Sequence, residues 1–375
     1  MRIAILGAGP AGLYLSYLIK RRAPDADVTV IEQNPADATF GFGVVFSDRA
    51  LEFLREDDET TYAAIVPHME SWSDIVLVLR GERIVIDGVG FAAIGRLKLL
   101  QLLQARARSV GVAPVYRRAV KTLDELDGFD LVVGADGVNS LVRCSLSDAF
   151  GASVDHLSNR FAWFGTAKRF ETLTQTFIKT ELGSFNAHHY RYAPDQSTFI
   201  VEVDAPTFER AGFAAMSEAE ARVACERVFA EALDSHPLIS NNSIWRQFPL
   251  VYNARWSHAN RVLIGDALHT AHFSIGSGTR LAMEDAIALD KALAAQPRDL
   301  PAALASFEAA RRPILEKLVA GANGSAEWYQ RFAEHMTLKP VDFAMSYITR
   351  SGRIDLERLR KLSPKFVARY ERERD

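Results

Sequence analysis

Three glycine-bearing turns carry much of the chemistry open to this sequence. Gly7-Ala8-Gly9-Pro10-Ala11-Gly12 has the spacing G-x-G-x-x-G, and Glu32 follows about twenty residues later. Gly7 permits a tight turn, Gly9 lets the backbone approach a pyrophosphate, and Gly12 lets a helix pack closely on a strand. Glu32 is placed to accept hydrogen bonds from ribose hydroxyls. The second turn is Gly134-Ala135-Asp136-Gly137-Val138-Asn139-Ser140, with Arg143 beyond it. The third begins at Gly265-Asp266 and continues into Phe273-Ser274-Ile275-Gly276-Ser277-Gly278-Thr279. A glycine-rich turn that opens a helix presents free N–H donors and a positive dipole end, which suits an electron-rich, partly anionic group. Two more stretches fit such a ligand. Arg96 begins a helix and could reach a phosphate, and the glycine-spaced loop Phe40-Gly41-Phe42-Gly43-Val44-Val45 could run beside a planar ring.

The elements that position these turns are readable from periodicity. Ile3–Leu6 and Val28–Ile31 are apolar strands, with a helix between them from Leu13 to Arg22. Leu131–Val133 and Arg261–Ile264 are further strands, each running into one of the later turns. Ile75–Leu79 and Arg83–Ile86 form a strand pair turning at Gly81, and an apolar helix follows Arg96. From about 150 to 260 the texture alternates. Phe161–Lys168, Thr174–Lys179, Phe185–Tyr192 and Thr198–Val203 predict a mainly antiparallel sheet with one wet and one covered face. Ser217 and Glu220 form a capping box opening a helix that reaches about Leu233; Trp245–Phe248 adds another strand. Helices follow from Pro301.

The expected fold is therefore α/β: a Rossmann-like dinucleotide-binding domain, an inserted mainly antiparallel β-sheet substrate domain, and C-terminal helices. The expected boundaries place 1–70, 94–155 and 259–300 in the first, 71–93 and 156–258 in the second, and 301–375 in the last.

Composition narrows the class of function. The chain has 375 residues, 48% of them hydrophobic and 24% charged, with a net charge of −3. That balance gives no electrostatic footprint for nucleic acid. Cys144 and Cys225 are too few for a disulfide framework and lack metal-ligand spacing. There is neither a leader-like N-terminus nor an apolar run long enough to span a membrane, so a cytoplasmic monomer or homodimer is expected. His269 and His272 stand three residues apart but lack further ligands, and no metal is expected.

The three turns, in this order and with a β-rich insertion before the third, resemble the single-component, FAD-dependent aromatic hydroxylases of the para-hydroxybenzoate hydroxylase type, also called class A. The resemblance implies that Gly7, Gly9, Pro10, Ala11, Gly12 and Glu32 hold the ADP part of FAD. It implies that Asp136 and Gly137 serve FAD and the nicotinamide donor, and that Asp266 contacts the ribityl chain. Gly276, Ser277, Gly278 and Thr279 would lie by the flavin pyrimidine ring, Arg96 near the phosphates, and Gly43 and Val44 beside the ring. A closer likeness covers the chain to about residue 355. FGFGVVFSD, ADGVNS, NRFAWFGTAK, AHHYRY, STFIVEV, GDALHTAHFSIGSGT and LAMEDAIAL are similar to the monooxygenase portion of anthraniloyl-CoA and salicyloyl-CoA 5-hydroxylases. The violacein-pathway hydroxylase of a tryptophan-derived indole is similar over many of the same stretches. Phe273-Ser274 replaces the proline usual in the broader family, and the narrower group shares the HFSIG form. The anthraniloyl-CoA enzymes carry an additional reductase domain that this sequence has no room for, so ring hydroxylation without subsequent reduction is expected.

The implied activity is hydroxylation of an electron-rich ring through a flavin C4a-hydroperoxide, using O2 and NADH or NADPH. The ring's proton needs an acceptor. His188 on the predicted sheet is the first candidate, with Tyr190 on the same face and His272 as competitor. Phe273 and Ser274 are expected at the substrate. An aromatic acyl-CoA would need cationic contacts for its phosphates, for which Lys168 and Arg169 are the candidates, with Arg191 and Arg255 as further cations. A free aromatic or an indole is the alternative substrate. A flavin reductase, or an FAD-binding protein without oxygen insertion, is the alternative of another class.

Overall fold

Ile3, Ala4 and Ile5 are fully buried, and the strand they form, Arg2–Leu6, is an inner strand of a five-stranded sheet. The computed structural model describes residues 1–47 and 51–374, so Asp48 of FGFGVVFSD lies outside the described residues. Asp27–Ile31 and Leu131–Gly134 flank Arg2–Leu6 in parallel, and Arg261–Leu263 pairs in parallel with Leu131–Gly134. The first, second and third turns therefore leave the same edge of the sheet, at the carboxyl ends of neighbouring strands, where open α/β sheets bind ligands. Helix Pro10–Arg22 starts with proline at its first turn, where a missing N–H costs nothing, and packs on helix Gly278–Ala295. Helix Leu300–Gln330 covers that helix in turn.

The insertion is an eight-stranded sheet. Its neighbours run Leu238–Ile239, Ala152–Thr166, Gln196–Val203, Gly183–Ala193, Leu173–Thr180, Ile75–Leu79 and Glu82–Ile86, and Arg246–Asn253 also pairs with Ala152–Thr166. All pairings are antiparallel except Leu173–Thr180 with Ile75–Leu79. The predicted alternation is present, but the expected wet face is not. Along Gly183–Val203, Phe185, Ala187, Phe199 and Val201 pack against the helical segments of 205–233. The opposite face, carrying Asn186, His188 and Tyr190, is also buried. Polar residue types misled the reading because Tyr329 of the C-terminal helices covers His188, while Trp72 and the backbone at Gly43 cover Tyr190.

Three boundaries differ from expectation. The strand expected from Phe161 begins at Ala152, because its polar first half pairs with Arg246–Asn253. The capped helix from Glu218 stops at Val228, where Phe229 leaves helical geometry and packs its ring on Phe185 and Phe199. The loop through Gly43 and Val44 becomes a strand, Gly43–Ser47, paired with Phe91–Gly95 in a small three-stranded sheet joining the two larger ones. A side chain at Gly43 would stand 2.5 Å from Tyr192 Cβ, so only glycine allows that junction.

Candidate functional site

The first turn is built on backbone contact. Gly7 has φ +97°, and a Cβ there would lie 2.2 Å from the Ala135 carbonyl oxygen; a Cβ on Gly12 would lie 2.0 Å from the Gly7 carbonyl oxygen. Packing this close leaves an open cleft of about 340 Å³ in front of it, bordered by Gly7, Gly9, Pro10, Glu32, Asp136 and Gly137. Val44, Arg96 and Thr279 close its far end, while Ala11 and Gly12 are buried behind the turn. Glu32 Oε2 accepts the Ala8 N–H at 2.9 Å and Oε1 accepts both Asn34 nitrogens at 2.8 Å. Asp136 Oδ2 accepts Leu141 N–H at 2.7 Å, its Oδ1 is buried without a partner, and burial raises its carboxyl above the usual range. Arg143, beyond the second turn, donates to the carbonyls of Ala267, at 3.0 Å, and Val138, tying the second turn to the third.

These residues fit FAD. Arg96 borders the cleft, lies over the Trp163 ring at 5.3 Å, makes no side-chain hydrogen bond among the described residues, and is near enough to Asp266 to feel its charge. Asp266 keeps an exposed surface at the head of the third turn, and the protein around it raises its carboxyl against the pull of His269 and Arg96. An unpaired guanidinium, an unpaired acid and a glycine turn leave room for phosphates, hydroxyls and a flat polar ring. Gly276 is left-handed, and a Cβ on it would lie 2.9 Å from the Val45 carbonyl oxygen, so this turn abuts the Gly43–Ser47 strand. Ser277 is buried with an unpaired hydroxyl at the start of the helix that opens at Gly278.

The third turn is braced from behind by Asp285. This acid accepts Gly265 N–H at 3.0 Å and Arg311 Nε at 2.8 Å, and His269 Nε2 lies 2.7 Å away. His269 thus serves the turn, while His272 Nδ1 lies 2.8 Å from Ser274 Oγ, so the two histidines do not face one another across an ion.

The inner face of the inserted sheet bears a polar row assembled from four strands. Gln175 Nε2 lies 2.8 Å from His188 Nδ1, and an amide nitrogen can only donate, which leaves His188 Nε2 directed 3.8 Å from Glu202 Oε2. Asn159 Nδ2 donates to Glu202 Oε1 and to the Tyr329 carbonyl, both at 2.8 Å. The row is roofed by Tyr329, stacked 5.0 Å from His188, and walled by Phe273 at 5.3 Å. Beside it, Ser274 Oγ meets Ser325 Oγ at 2.7 Å, and Arg350 donates to Ser325 Oγ and Ser274 O at 2.9 Å and to Tyr347 O at 2.6 Å. Burial, then Arg350, lowers His272 to about 3. Burial, then His272, lowers His188 as well. Burial raises the Glu202 carboxyl to about 7.

The structure thus brings His188, His272, Phe273 and Ser274 to one place. Tyr190 belongs elsewhere: its hydroxyl donates to the Gly43 carbonyl at 3.0 Å, clamping the sheet to the cofactor side. Lys168 and Arg169 lie beyond the sheet. Lys168 pairs with Asp234 at 2.8 Å, and both cations border a cavity on the outer face. Arg191 is consumed by Glu70 and backbone carbonyls, and Arg255 by the carbonyls of Asp148 and Ala149. Glu202 and Gln175 were missed, although a charged and an amide residue on the inward beat of the apolar runs STFIVEV and LTQTFI are the visible signal. Tyr329, Ser325 and Arg350 had no such signal, being supplied by distant helices.

Comparison with known proteins agrees with this site. The FAD binding domain family matches residues 98–322. Salicyloyl-CoA 5-hydroxylase of a Streptomyces species is 42% identical over 94% of the chain and 70% of its own length. The 3-hydroxy-4-methyl-anthranilyl-[aryl-carrier protein] 5-monooxygenase of Streptosporangium sibiricum is 35% identical, covering 94% of the chain and 95% of that protein. Protodeoxyviolaceinate monooxygenase of Chromobacterium violaceum is 32% identical, covering 93% and 94%. Among solved structures, Pseudomonas aeruginosa PqsL with 2-aminobenzoylacetate has TM-score 0.69 at 23% identity, over 89% of this chain and 98% of that one, and shares the fold. With a cleft that fits FAD and relatives of this identity and coverage, the chain belongs to the FAD-dependent aromatic monooxygenases.

Proposed function

We propose that this monooxygenase hydroxylates an electron-rich aromatic ring presented as a thioester, with NADH or NADPH as electron donor. Salicyloyl-CoA, hydroxylated at position 5 to gentisyl-CoA, and 4-hydroxybenzoyl-CoA are the favoured substrates. The observation that carries this reading is the 42% identity to a salicyloyl-CoA 5-hydroxylase over 94% of the chain. Arg350, beside His188 and His272, is held by Ser325 Oγ, Tyr347 O and Ser274 O, neutral partners that fix its position and leave its charge facing the site.

Bound FAD supplies the reduction and oxygen-transfer chemistry. The Gly276–Gly278 turn and the following helix start offer backbone donors to negative charge on the ring system. Phe161, Phe248, Phe273 and Tyr329 form an aromatic enclosure that keeps water from the reacting centre. His188 and Glu202 hold the proton released from the ring hydroxyl or amine. His272 stays neutral and, through Ser274 and Ser325, fixes the turn against helix Leu300–Gln330.

The test is reduction by NADH and by NADPH without oxygen, then exposure to oxygen with salicyloyl-CoA, 4-hydroxybenzoyl-CoA, anthraniloyl-CoA, free salicylate and an indole. Hydroxylated thioester formed in step with reductant consumed is the expected result. Product from a free aromatic alone overturns the thioester assignment; peroxide alone with every ring overturns the wider one.

A further inference from the structure

Residues alternate across a strand, so His189 and its cross-strand partner Thr174 face away from the Gln175–His188 row. On that outer face a cavity of about 970 Å³ runs along strand Leu173–Thr180. Five cations border it: Arg80 and Arg83 from the strand pair, Lys168 and Arg169 from the loop after Thr166, and Lys179 at the strand's end. The acids bordering it are Glu171 and Glu231. Lys168 is paired with Asp234, and Arg80 donates to the carbonyls of Met336 and Leu338. Arg83, Arg169 and Lys179 have no ion pair among the described residues. The floor carries Thr174, Thr176 and His189. His189 is 2% exposed, lies 4.0 Å from the Phe170 ring and stacks on Phe199 at 5.1 Å. Its Nε2 meets Thr176 Oγ1 at 2.9 Å, and its Nδ1 is buried with no partner.

Gathering cations around one concavity raises its positive potential and is costly without a counter-ion. Arginine and lysine at such spacing match phosphate oxygens. A volume near the top of the roughly 300–1,000 Å³ range of small-molecule sites calls for an extended ligand rather than a single ion. Thr172 and Thr174 bring hydroxyls to its lining for a neutral part of the ligand. The cavity extends to the edge of the helical layer: its lining includes Ala333 and Met336, and Met336 belongs to the cluster that packs on the inner face with Phe177.

We propose that this cavity binds the phosphorylated nucleotide end of the thioester that carries the aromatic ring, the acyl arm passing round the sheet to the flavin side. The proposal rests on the thioester reading above. It explains why Lys168 and Arg169, expected at the substrate, stand on the far face from His188. No covalent step occurs there; the site supplies anchoring alone.

The holoenzyme and the double variant Arg83→Gln/Lys179→Gln, checked for equal FAD content, are compared with salicyloyl-CoA and with salicyloyl-pantetheine, which lacks the nucleotide. The variant should raise KM for the CoA thioester about tenfold with kcat retained, while KM for the pantetheine thioester moves less than about twofold. Calorimetry should show adenosine 3′,5′-bisphosphate binding the parent protein and weakening in the variant. An unchanged KM for the CoA thioester, an equal rise for both thioesters, or a rise for NADPH instead overturns the proposal while leaving thioester hydroxylation standing. If no thioester is hydroxylated but the bisphosphate binds and depends on Arg83 and Lys179, the cavity is a nucleotide site, and the thioester reading and the anchoring role built on it both fall.

Discussion

Two buried carboxylates of this chain receive opposite treatment. Asp285, behind the third turn, is 0% exposed, and Glu202, on the inner face of the sheet, is 2% exposed. Burial alone pushes both toward the protonated form. At Asp285 that push is outweighed by His269 and Arg311, and the carboxyl is held below its usual range. At Glu202 the only direct donor among the described residues is the Asn159 amide, and the carboxyl rises to about 7. Behind the third turn both carboxylate oxygens of Asp285 are partnered by the protein itself. The substrate side keeps Gln175 Oε1, His188 Nε2 and Glu202 Oε2 unpaired under cover, a cost that persists where a proton has to be held and passed.

The contrast can be broken most severely at Asp285. Asp285→Ala leaves Arg311, His269 and the Gly265 N–H without their shared acceptor, and loss of one partner of a buried ion pair costs about 3–5 kcal/mol. Denaturant unfolding should show that loss together with reduced FAD retention. A change below about 1 kcal/mol with full flavin content would mean that the turn is not braced from behind.

The next test concerns Glu202. Its folded carboxyl keeps a proton up to about 7, whereas its ordinary value is 4.5. The folded state thus binds more protons than the unfolded one between these values, and stability falls as pH rises from 4.5 to about 7, then levels off. Over that window the loss amounts to about 3 kcal/mol at most. Glu202→Gln should be near parental stability at pH 5 and gain on the parent toward pH 8, while product per reductant falls. Parallel stability curves at both pH values would show that Glu202 is as well paired as Asp285.

The smallest effect is expected where the two regions are clamped. Tyr190→Phe removes the hydrogen bond to the Gly43 carbonyl and should cost about 1 kcal/mol, with hydroxylation retained. A loss of product as large as that of a proton-acceptor variant would return Tyr190 to the chemistry.

The first turn and its acid were legible because their physics is local. Gly7, Gly12 and Glu32 need only the adjoining strand and helix to acquire meaning, and the same holds for the parallel strands at Leu131 and Arg261. Period-two alternation likewise placed His188 and Tyr190 on one face of a strand. What covers a face is not written in the strand itself. The roof over His188 comes from Tyr329, and the fixing of His272 from Ser325 and Arg350, all on helices far along the chain. Neighbouring residues of one strand, His188 and His189, end in an aromatic enclosure and on a cation-lined floor. Backbone periodicity assigns a side chain its direction; only packing between elements distant in sequence decides whether it meets water, a ring or a charge.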